Sequence, residues 1–226
     1  MKKTFSVAID GPSGAGKSSV ARAAAAALGF LYVDTGAIYR TVGLAAFRRG
    51  IGSRDHDAVI AMLPELDIQL HHGEDGLQHM FLDGEDVSSE IRLPEISLYA
   101  SDVSAYPEVR AYLMDMQRSL ARKYNVIMDG RDIGTVVLPD AGLKIFLTAS
   151  AEARARRRLL ELQNKGQQTT FEEVLRDIEY RDKNDSEREA APLKQAEDAV
   201  LVDTTDVDFA GSCAMVEHLI RERFGL

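Results

Sequence analysis

Cysteine is almost absent from this 226-residue chain, which contains a single one, Cys213. One cysteine cannot form an intramolecular disulfide bond, and no Cys/His spacing typical of a zinc site is present. Cys213 lies in an apolar stretch near the C-terminus, where we expect a small buried side chain rather than a reactive thiol. Disulfide scaffolds and zinc modules are therefore excluded as the basis of the fold.

Long hydrophobic runs are also missing. No run of about 18 apolar residues occurs, so the sequence predicts no membrane-spanning helix. Residues 1–10 contain two lysines and a short apolar run, but Asp10 interrupts the run before it reaches the length of a signal peptide. We therefore expect a cytoplasmic protein.

Positive charge is in deficit, with 27 lysines and arginines against 36 aspartates and glutamates and a net charge of −9. Non-specific affinity for nucleic acid comes from neutralising phosphates with basic side chains. DNA and RNA are therefore not expected as main partners. The composition is otherwise that of an ordinary globular protein, and the length suits one large domain, residues 1–226, with a substantial core.

Strand and helix patterns alternate along the chain. Residues 5–9 are typical of a buried strand, residues 17–28 of an alanine-rich helix ended by Gly29, and residues 30–33 of a second strand. This βαβ unit predicts an α/β fold with a central parallel sheet flanked by helices. Further strands are predicted at 126–128, 144–147 and 200–203, and further helices at 109–123, 151–163, from 171 onward, and 210–224.

The middle of the chain has a different pattern. Short strand-like segments at 68–71, 78–82 and 85–87 are separated by turns at 73–76 and 83–84. Such a meander is antiparallel and does not belong to a parallel sheet. We therefore interpret about 62–100 as a small antiparallel insert within a region spanning 36–108.

Residues 11–18, Gly-Pro-Ser-Gly-Ala-Gly-Lys-Ser, match the phosphate-loop pattern G-x-x-x-x-G-K-[ST] at every fixed position. The predicted strand before the loop and helix after it make a chance glycine-rich turn a poor alternative. In such loops successive backbone N–H groups and the helix N-terminus face a polyphosphate. We therefore predict ATP as ligand, bound by Gly11, Pro12, Ser13, Gly14, Ala15, Gly16, Lys17, Ser18 and Ser19.

The same loop predicts a magnesium ion. The Ser18 hydroxyl can ligate Mg²⁺, and the Lys17 ammonium can reach the β- and γ-phosphates. Asp129, directly after a predicted strand, could hold the ion indirectly through water. The loop does not reveal whether the acceptor of the phosphoryl group is water, a metabolite or a nucleotide.

Two classes of nucleotide-binding protein are not favoured. A GTPase would carry Asn-Lys-x-Asp, but residues 164–167, Asn-Lys-Gly-Gln, lack the aspartate and are interpreted as a turn. A motor ATPase usually has a strand ending in paired acids, whereas residues 129–132 are Asp-Gly-Arg-Asp. Ligands bind at the carboxyl ends of parallel strands, and the cation of Arg131 at that position suits a phosphorylated acceptor.

Arginines are concentrated on one predicted helix. Arg154, Arg157 and Arg158 occupy positions i, i+3 and i+4 and so share a helix face, with a fourth arginine beside them. This face could be a solvated basic surface paired with Glu161. Close positive charges repel one another, however, and an anion would relieve the repulsion. Beside a phosphate loop, the pattern favours a lid over residues 151–170 that excludes water from the transferred phosphoryl group.

A second charged pattern follows a capping box at residues 170–173. Arg181, Asp185 and Arg188 occur at i, i+4 and i+7, so they project from one side if the helix continues. Alone, the pattern would indicate a surface ion-pair ladder of little energetic value. Beside the other arginines it is better interpreted as one wall of a polar pocket.

Four segments together resemble the bacterial cytidylate kinase family. They are residues 9–18, 34–40 (Asp-Thr-Gly-Ala-Ile-Tyr-Arg), 129–137 (Asp-Gly-Arg-Asp-Ile-Gly-Thr-Val-Val) and 181–193. The resemblance covers about residues 5–205. It implies a P-loop kinase with a lid and an enlarged monophosphate-binding region, which acts as a monomer on CMP or dCMP with ATP and Mg²⁺.

The resemblance also implies roles for individual residues. Arg40 and Arg131 would bind the phosphate of CMP, while Arg181 and Asp185 would hold the sugar hydroxyls. The base would be surrounded by Thr35, Ser101, Arg110, Asp132 and Arg188. Asp34, Tyr39 and Asp129 complete the expected substrate site, and the catalytic residues would be Lys17, Arg131, Arg154, Arg157 and Arg158.

The reaction expected from these residues is in-line transfer of the γ-phosphoryl group of MgATP to a 5′-phosphate oxygen of CMP or dCMP. Two alternatives come from other classes. One is a small-molecule P-loop kinase of the shikimate or gluconate type, which needs no base-binding pocket. The other is a regulatory protein that binds nucleotide without transferring a phosphoryl group.

Overall fold

The computed structural model describes residues 4–73, 76–164 and 166–226. Two of the turns predicted from the sequence extend beyond these ranges. The turn at 73–76 includes residues 74 and 75, and the turn at 164–167 includes residue 165, and these positions lie outside the described residues, as do residues 1–3.

The strands fall into two sheets. They are β1 (Ser6–Asp10), β2 (Leu31–Asp34), β3 (Ile68–His72), β4 (Gln78–Leu82), β5 (Glu85–Asp86), β6 (Val126–Gly130), β7 (Leu143–Thr148) and β8 (Val200–Asp203). The larger sheet is parallel, in the order β2-β6-β1-β7-β8. The smaller sheet is antiparallel, in the order β3-β4-β5. Both sheets were predicted from the sequence and are confirmed.

Helices account for most of the remaining described residues. They are α1 (Lys17–Leu28), α2 (Thr35–Arg48), α3 (His56–Met62), α4 (Pro94–Val103), α5 (Pro107–Lys123), α6 (Ala151–Asn164), α7 (Phe171–Glu187) and α8 (Phe209–Phe224). Short helical turns lie at Leu63–Glu65, Glu90–Arg92 and Ile133–Val137. No helix in the described part of the chain is long and apolar enough to cross a bilayer.

Alternate residues of the parallel strands face opposite layers. In β1, Val7 and Ile9 contribute to one hydrophobic cluster and Ala8 to the other, as the two-residue period of a strand requires. The cluster containing Val7 packs α1 and α8 on the sheet. The cluster containing Ala8 packs α2, α4, α5 and the antiparallel sheet on the opposite face. Helices therefore cover both faces of a parallel sheet.

Helix α1 follows its local sequence closely. It begins after Gly16, at φ 87°, and ends at Gly29, at φ 66°, and glycine adopts both conformations readily. Its alanines lie close against the sheet, and Cys213 of α8 packs partly buried against the same cluster. Burial raises the pKa of the Cys213 thiol. Its partly buried position accords with the expectation of a packing role.

Helices α2 and α4 were not predicted from the sequence. They cross so closely that a Cβ atom on Gly43 would lie 3.0 Å from Ala100 N and from Tyr99 Cβ. Pro94 opens α4 inside the segment interpreted as insert, so the later part of 62–100 is helical. The crossing directs the second half of α4, which carries Ser101, towards α7.

Helices α6 and α7 form a pair with a hydrophobic cluster of its own. Ala155, Val174 and Ile178 are buried between the two helices. The capping box predicted at α7 is present, since Thr170 and Glu173 each accept a hydrogen bond from the other's backbone N–H. The pair is thus a compact unit at the carboxyl ends of the parallel strands.

Candidate active site

The phosphate loop connects β1 to α1 at the centre of the sheet. Gly11 has φ 150°, and a Cβ atom there would lie 1.9 Å from Leu147 O, so a larger residue does not fit. The Lys17 side chain is buried, and its Nζ donates to Pro12 O at 2.8 Å. The nine residues predicted to bind ATP therefore form one continuous turn from the sheet edge into the first turn of α1.

Lys17 lies in an environment that disfavours its charge. Burial and the field of Arg131 together lower the pKa of Lys17 to about 7, against the opposing effect of Asp129, Asp185 and Asp10. The carboxylates do not fully compensate the buried ammonium. An anion bound within the loop would supply the missing negative charge.

Asp129, at the carboxyl end of β6, accepts hydrogen bonds from three hydroxyl groups. Ser18 Oγ donates to one carboxylate oxygen and Tyr32 OH to the other, both at 2.8 Å. Thr35 Oγ1 donates to the main-chain oxygen at 2.7 Å. Burial and the neighbouring charge of Asp34 together raise the pKa of Asp129 to about 6. A cation beside this carboxylate would favour its ionised form.

The oxygen donors beside the loop suit Mg²⁺. Ser18 and Asp129 supply a hydroxyl and a carboxylate next to the expected triphosphate position. Among the described residues no group of three or more His, Cys, Asp or Glu side chains could hold a metal ion. Mg²⁺ is usually bound through one or two protein groups together with substrate phosphates and water, so Ser18 and Asp129 are sufficient protein contacts for it.

The segment after β6 carries Arg131 and Asp132 into the site. Asp10, the last residue of β1, accepts hydrogen bonds from Ile133 N and Gly134 N, both at 2.7 Å. Burial raises the pKa of Asp10 to about 6. Asp10 therefore ties the start of the phosphate loop to the turn that follows Asp132.

Arginines converge beside Lys17. Arg40 pairs with Asp34 at 3.0 Å, and Arg131 pairs with Asp185 at 2.6 Å. Arg181 completes the group, and burial lowers its pKa to about 10, helped by the nearby charges of Arg131, Arg40 and Arg158. Three arginines therefore lie close together, and within the described residues direct ion pairs with carboxylates hold two of them.

Two guanidinium atoms of this group are unsatisfied. Within the described residues, Arg40 Nε and Arg181 Nε are buried and have no hydrogen-bond partner. A buried donor without a partner carries a free-energy cost of about 1–3 kcal/mol, more when it is charged. Two such donors in one positively charged cluster indicate a site for a multiply charged anion.

A second polar cluster lies next to the arginines. Asp132 is buried between Arg110 and Arg188, with Arg188 Nη2 at 3.4 Å from its carboxylate. Ser104 accepts from Arg110 Nη1 at 3.1 Å through its carbonyl and from Arg188 Nη1 at 3.2 Å through its hydroxyl. The Arg110 guanidinium lies 5.4 Å from the centre of the Tyr39 ring. A polar ligand could replace one of the present hydrogen-bond partners of the Asp132 carboxylate and of each guanidinium group.

Ser101 joins this cluster from α4. Its hydroxyl accepts from Asn184 Nδ2 of α7 at 3.0 Å. The structure therefore brings together the residues that the resemblance placed around the base, the sugar and the phosphate, together with Tyr39. They come from α2, α4, α5, α7, the position after α7 and the segment after β6: Thr35, Tyr39, Arg40, Ser101, Arg110, Arg131, Asp132, Arg181, Asp185 and Arg188.

Arg154 reaches the phosphate loop. The side chain is buried, and Nε donates to Ala149 O while Nη1 donates to Ser13 O, both at 2.8 Å. Nη1 also pairs with Asp182 at 2.6 Å, and Asp182 accepts from Ser13 N at 3.1 Å. A side chain of α6 thus binds the backbone oxygen of Ser13, and a side chain of α7 binds its backbone N–H.

The other two lid arginines point elsewhere. Arg157 donates to the carbonyls of Thr204 and Val207, in the loop after β8. Arg158 pairs with Glu161 at 2.7 Å on the surface, which is the solvated arrangement left open by the sequence. Arg158 is nevertheless close enough to Arg181 to influence its pKa. The structure does not gather these arginines around one point.

Sequence reasoning missed several polar residues of the site: Asp10, Tyr32, Ser104, Asp182 and Asn184. Tyr32 was counted only as part of a buried strand, and Asp10 only as the residue that interrupts the first apolar run and belongs to the segment 9–18. An aspartate that ends a buried strand directly before a phosphate loop is a signal that could have found Asp10. The partners of Ser104 and Asn184 lie far away in sequence, so no local pattern indicates them.

Relatives of known identity match this chain over most of its length. The family model for cytidylate kinase matches residues 7–222. A cytidylate kinase from Caldanaerobacter subterraneus is 54% identical over 204 residues, which cover 90% of this chain and 89% of the relative. A cytidylate kinase from Exiguobacterium sp. is 50% identical over 222 residues, which cover 98% and 99%.

Solved structures resemble the chain much more weakly. A shikimate kinase from Bacteroides thetaiotaomicron aligns over 98% of this chain and 99% of its own, at 15% identity and a TM-score of 0.49. A similarity at that level supports no conclusion about substrate. The match to the family model spans nearly the whole chain and includes all the residues of the site. The chain therefore belongs to the cytidylate kinase family.

Proposed function

We propose that this protein transfers the γ-phosphoryl group of ATP to CMP or dCMP, forming CDP or dCDP. Family membership and curated cytidylate kinases of about 50% identity support this activity. They do not favour a kinase of the shikimate or gluconate type, or a regulatory protein without transfer. The assignment of individual residues rests on the geometry of the site.

The observation that carries the proposal is the group of adjacent arginines beside Lys17, whose buried donors are not all satisfied by the described residues. Arg40, Arg131 and Arg181 lie together, and two of them have buried Nε atoms without a partner. A monophosphate with two negative charges would accept from these donors and relieve their repulsion. Arg131 lies near enough to Lys17 to lower its pKa, and this proximity supports an acceptor phosphate bound beside the phosphate loop.

Base recognition is assigned to the cluster around Asp132. Cytosine presents an amino donor at position 4 and acceptors at N3 and O2. The Asp132 carboxylate suits the amine, while Arg110 and Arg188 suit the acceptors. Ser101 and Thr35 contribute hydroxyl groups at the edge of the same pocket. Asp132 already pairs with Arg110 and Arg188. When cytosine binds, these groups would replace hydrogen bonds to one another with hydrogen bonds to the base, and no charged group would lose its partners.

The remaining substrate contacts are those that the resemblance implies. We assign the sugar hydroxyls to Arg181 and Asp185, on adjacent turns of α7, and Arg181 would also donate to the phosphate through its buried Nε. Asp34 acts by holding Arg40, while Tyr39 packs its ring against Arg110. The region 36–108 would then be the monophosphate-binding part of the enzyme, and residues 151–170 its lid.

The chemistry proposed is in-line attack of an acceptor phosphate oxygen on the γ-phosphorus. The acceptor phosphate is ionised and needs no strong general base, so catalysis consists of positioning and charge neutralisation. Lys17 and Arg131 neutralise charge on the transferred group, and residues 151–170 would exclude water. Ser18 would ligate Mg²⁺ and Asp129 would hold it through water, and the ion would neutralise the β- and γ-oxygens.

The three arginines of α6 take different parts in this proposal. Arg158, exposed and near Arg181, is the one free to swing towards the transferred phosphoryl group. Arg154 would act from its position on the phosphate loop. A catalytic role for Arg157 requires it to leave the loop after β8, where it donates to two carbonyls.

An acceptor screen tests the proposal. Purified protein with ATP and Mg²⁺ is offered CMP, dCMP, UMP, AMP, GMP or shikimate, and ADP release is followed by a coupled assay. We expect the fastest release with CMP and dCMP. Release with shikimate alone would favour the small-molecule kinase, and ATP binding without acceptor-dependent release would favour the regulatory protein. Either result contradicts the proposal.

A further inference from the structure

Strand β2 forms one edge of the parallel sheet, because its only strand neighbour is β6. Successive residues of a strand direct their N–H and C=O groups to opposite edges. Leu31 N bonds to Asn125 O on the β6 side, so Tyr32 and Asp34 turn their backbone polar groups outward. These groups need partners that no strand of the described sheet provides.

Side chains of the antiparallel sheet supply the partners. His72 Nε2 donates to Tyr32 O at 2.8 Å. Gln78 accepts from Asp34 N at 2.8 Å through Oε1 and donates to Asp34 O at 3.1 Å through Nε2. His72 and Gln78 face each other across β3 and β4. The amide of Gln78 thus pairs with the Asp34 backbone as a further strand would.

The backbone held in this way carries part of the acceptor site. Asp34 accepts from Ala37 N with one carboxylate oxygen, at 2.8 Å, and caps helix α2. The other oxygen holds Arg40 at 3.0 Å. The same carboxylate therefore fixes both the start of α2 and the direction of the arginine assigned to the acceptor phosphate.

We propose that Gln78 is a positioning residue for phosphoryl acceptor binding: its amide fixes Asp34, and Asp34 fixes Arg40. This inference rests on the proposed function, since it takes Arg40 as a ligand of the acceptor phosphate. The hydrogen bonds of the Gln78 amide go to Asp34 and Met80, and we assign Gln78 no contact with the substrate. The antiparallel insert then contributes to the reaction through one side chain that completes the edge of the parallel sheet.

The test is the variant Gln78→Met, which keeps the length of the side chain and removes both hydrogen bonds to Asp34. We expect the KM for CMP to rise about five- to tenfold, since part of the loss of two hydrogen bonds is expressed in acceptor binding. The KM for ATP and kcat should stay within about twofold of wild type. Gln69→Met, at an exposed position of the same hairpin, is the matched control and should change none of these values.

A double-mutant cycle separates positioning from simple loss of stability. If Gln78 acts through Arg40, then Gln78→Met should add less than about twofold to the KM for CMP in an Arg40→Met background. A lower Tm with an unchanged KM for CMP overturns the inference, as does an equal rise in both KM values or a full additive effect in the cycle. If Gln78→Met does not fold, Gln78→Glu keeps the acceptor for Asp34 N, loses the donor to Asp34 O and must show the same selective rise.

The proposed function and this inference fail in different ways. Wild-type protein that leaves CMP unchanged contradicts the proposed function. Wild-type protein that turns over CMP, together with a Gln78→Met variant whose KM for CMP matches wild type, contradicts only the role of Gln78.

Discussion

Replacing Arg181 with methionine should make the ligand-free protein more stable and the CMP complex weaker. Arg181 is half-buried among like charges, and its pKa is lowered from 12.5 to about 10, first by burial and then by Arg131. A lowering of this size corresponds to at most about 3 kcal/mol of unfavourable free energy for the charged side chain. The attraction of Asp185 opposes the lowering and is already included.

The linkage between protonation and folding determines whether Arg181 raises or lowers the free energy of unfolding. A cation whose pKa is lower in the folded state than in the unfolded state costs stability at every pH below the folded pKa, and so at neutral pH. Arg181→Met removes that cost and keeps most of the aliphatic packing. We expect a gain of about 1–3 kcal/mol, or a Tm higher by about 2–10 °C for a chain of this size. CMP should bind about 10- to 100-fold more weakly, since a bond to a charged group is lost.

Thermal melts with and without CMP, together with a direct CMP titration, measure both effects. The matched control is Arg156→Met, which removes an exposed arginine of α6 and should leave the melting temperature and CMP affinity near those of wild type. A variant at Arg181 that melts below wild type and binds CMP as tightly would refute the reasoning. It would mean that Arg181 stabilises the fold and takes no part in holding the acceptor.

Three further changes have defined outcomes. Lys17→Ala should lower kcat about 10³-fold or more with the fold retained, because a buried cation at the phosphates is lost, and turnover and melting assays check this. Asp132→Asn should lower the free energy of unfolding by about 3 kcal/mol, since two buried arginines lose their carboxylate, and should raise the KM for CMP more than that for UMP. The pKa of Asp10, raised to about 6, means that ionised Asp10 costs stability that grows from about pH 4 to pH 6. Melts across this range should therefore show wild type losing stability relative to Asp10→Asn as pH rises. An equal pH dependence in the two proteins would contradict the effect of Asp10.

Local sequence was enough to predict the elements whose ends are marked by glycine, a capping box or a turn. Helix α1 has the predicted bounds because Gly16 and Gly29, at its two ends, adopt the left-handed backbone conformation that glycine favours. The capping box at Thr170 and Glu173 likewise fixed the start of α7. The antiparallel meander was recognisable because its turns and alternating strands are separate local signals.

Other elements depend on their surroundings. Helix α2 is buried on most of its surface between the sheet and α4, so no amphipathic stripe indicates it. It also contains threonine, isoleucine, tyrosine and valine, which local propensity favours in strands. Tertiary packing decides its conformation, and its N-cap, Asp34, is the one local signal.

The spacing of charged residues indicated Arg131, Arg181, Asp185 and Arg188, and the resemblance indicated the other residues of the acceptor site. The way in which these residues pair in space could not be predicted from the sequence. Arg110 and Asp132 are 22 positions apart, and Arg131 and Asp185 are 54 apart. Pairs of this kind exist only once the sheet has formed. The same holds for the link between Asp182 and Ser13, which joins α7 to the phosphate loop across 169 positions.

The central claim is that two anion sites, one built on the phosphate loop and one on Arg40, Arg131 and Arg181, face each other at phosphoryl-transfer distance. Binding of a single molecule that joins adenosine and cytidine through five phosphates tests it directly. The account predicts that this compound competes with both ATP and CMP and binds more tightly than either nucleotide alone. Competition with only one of the two nucleotides would contradict it.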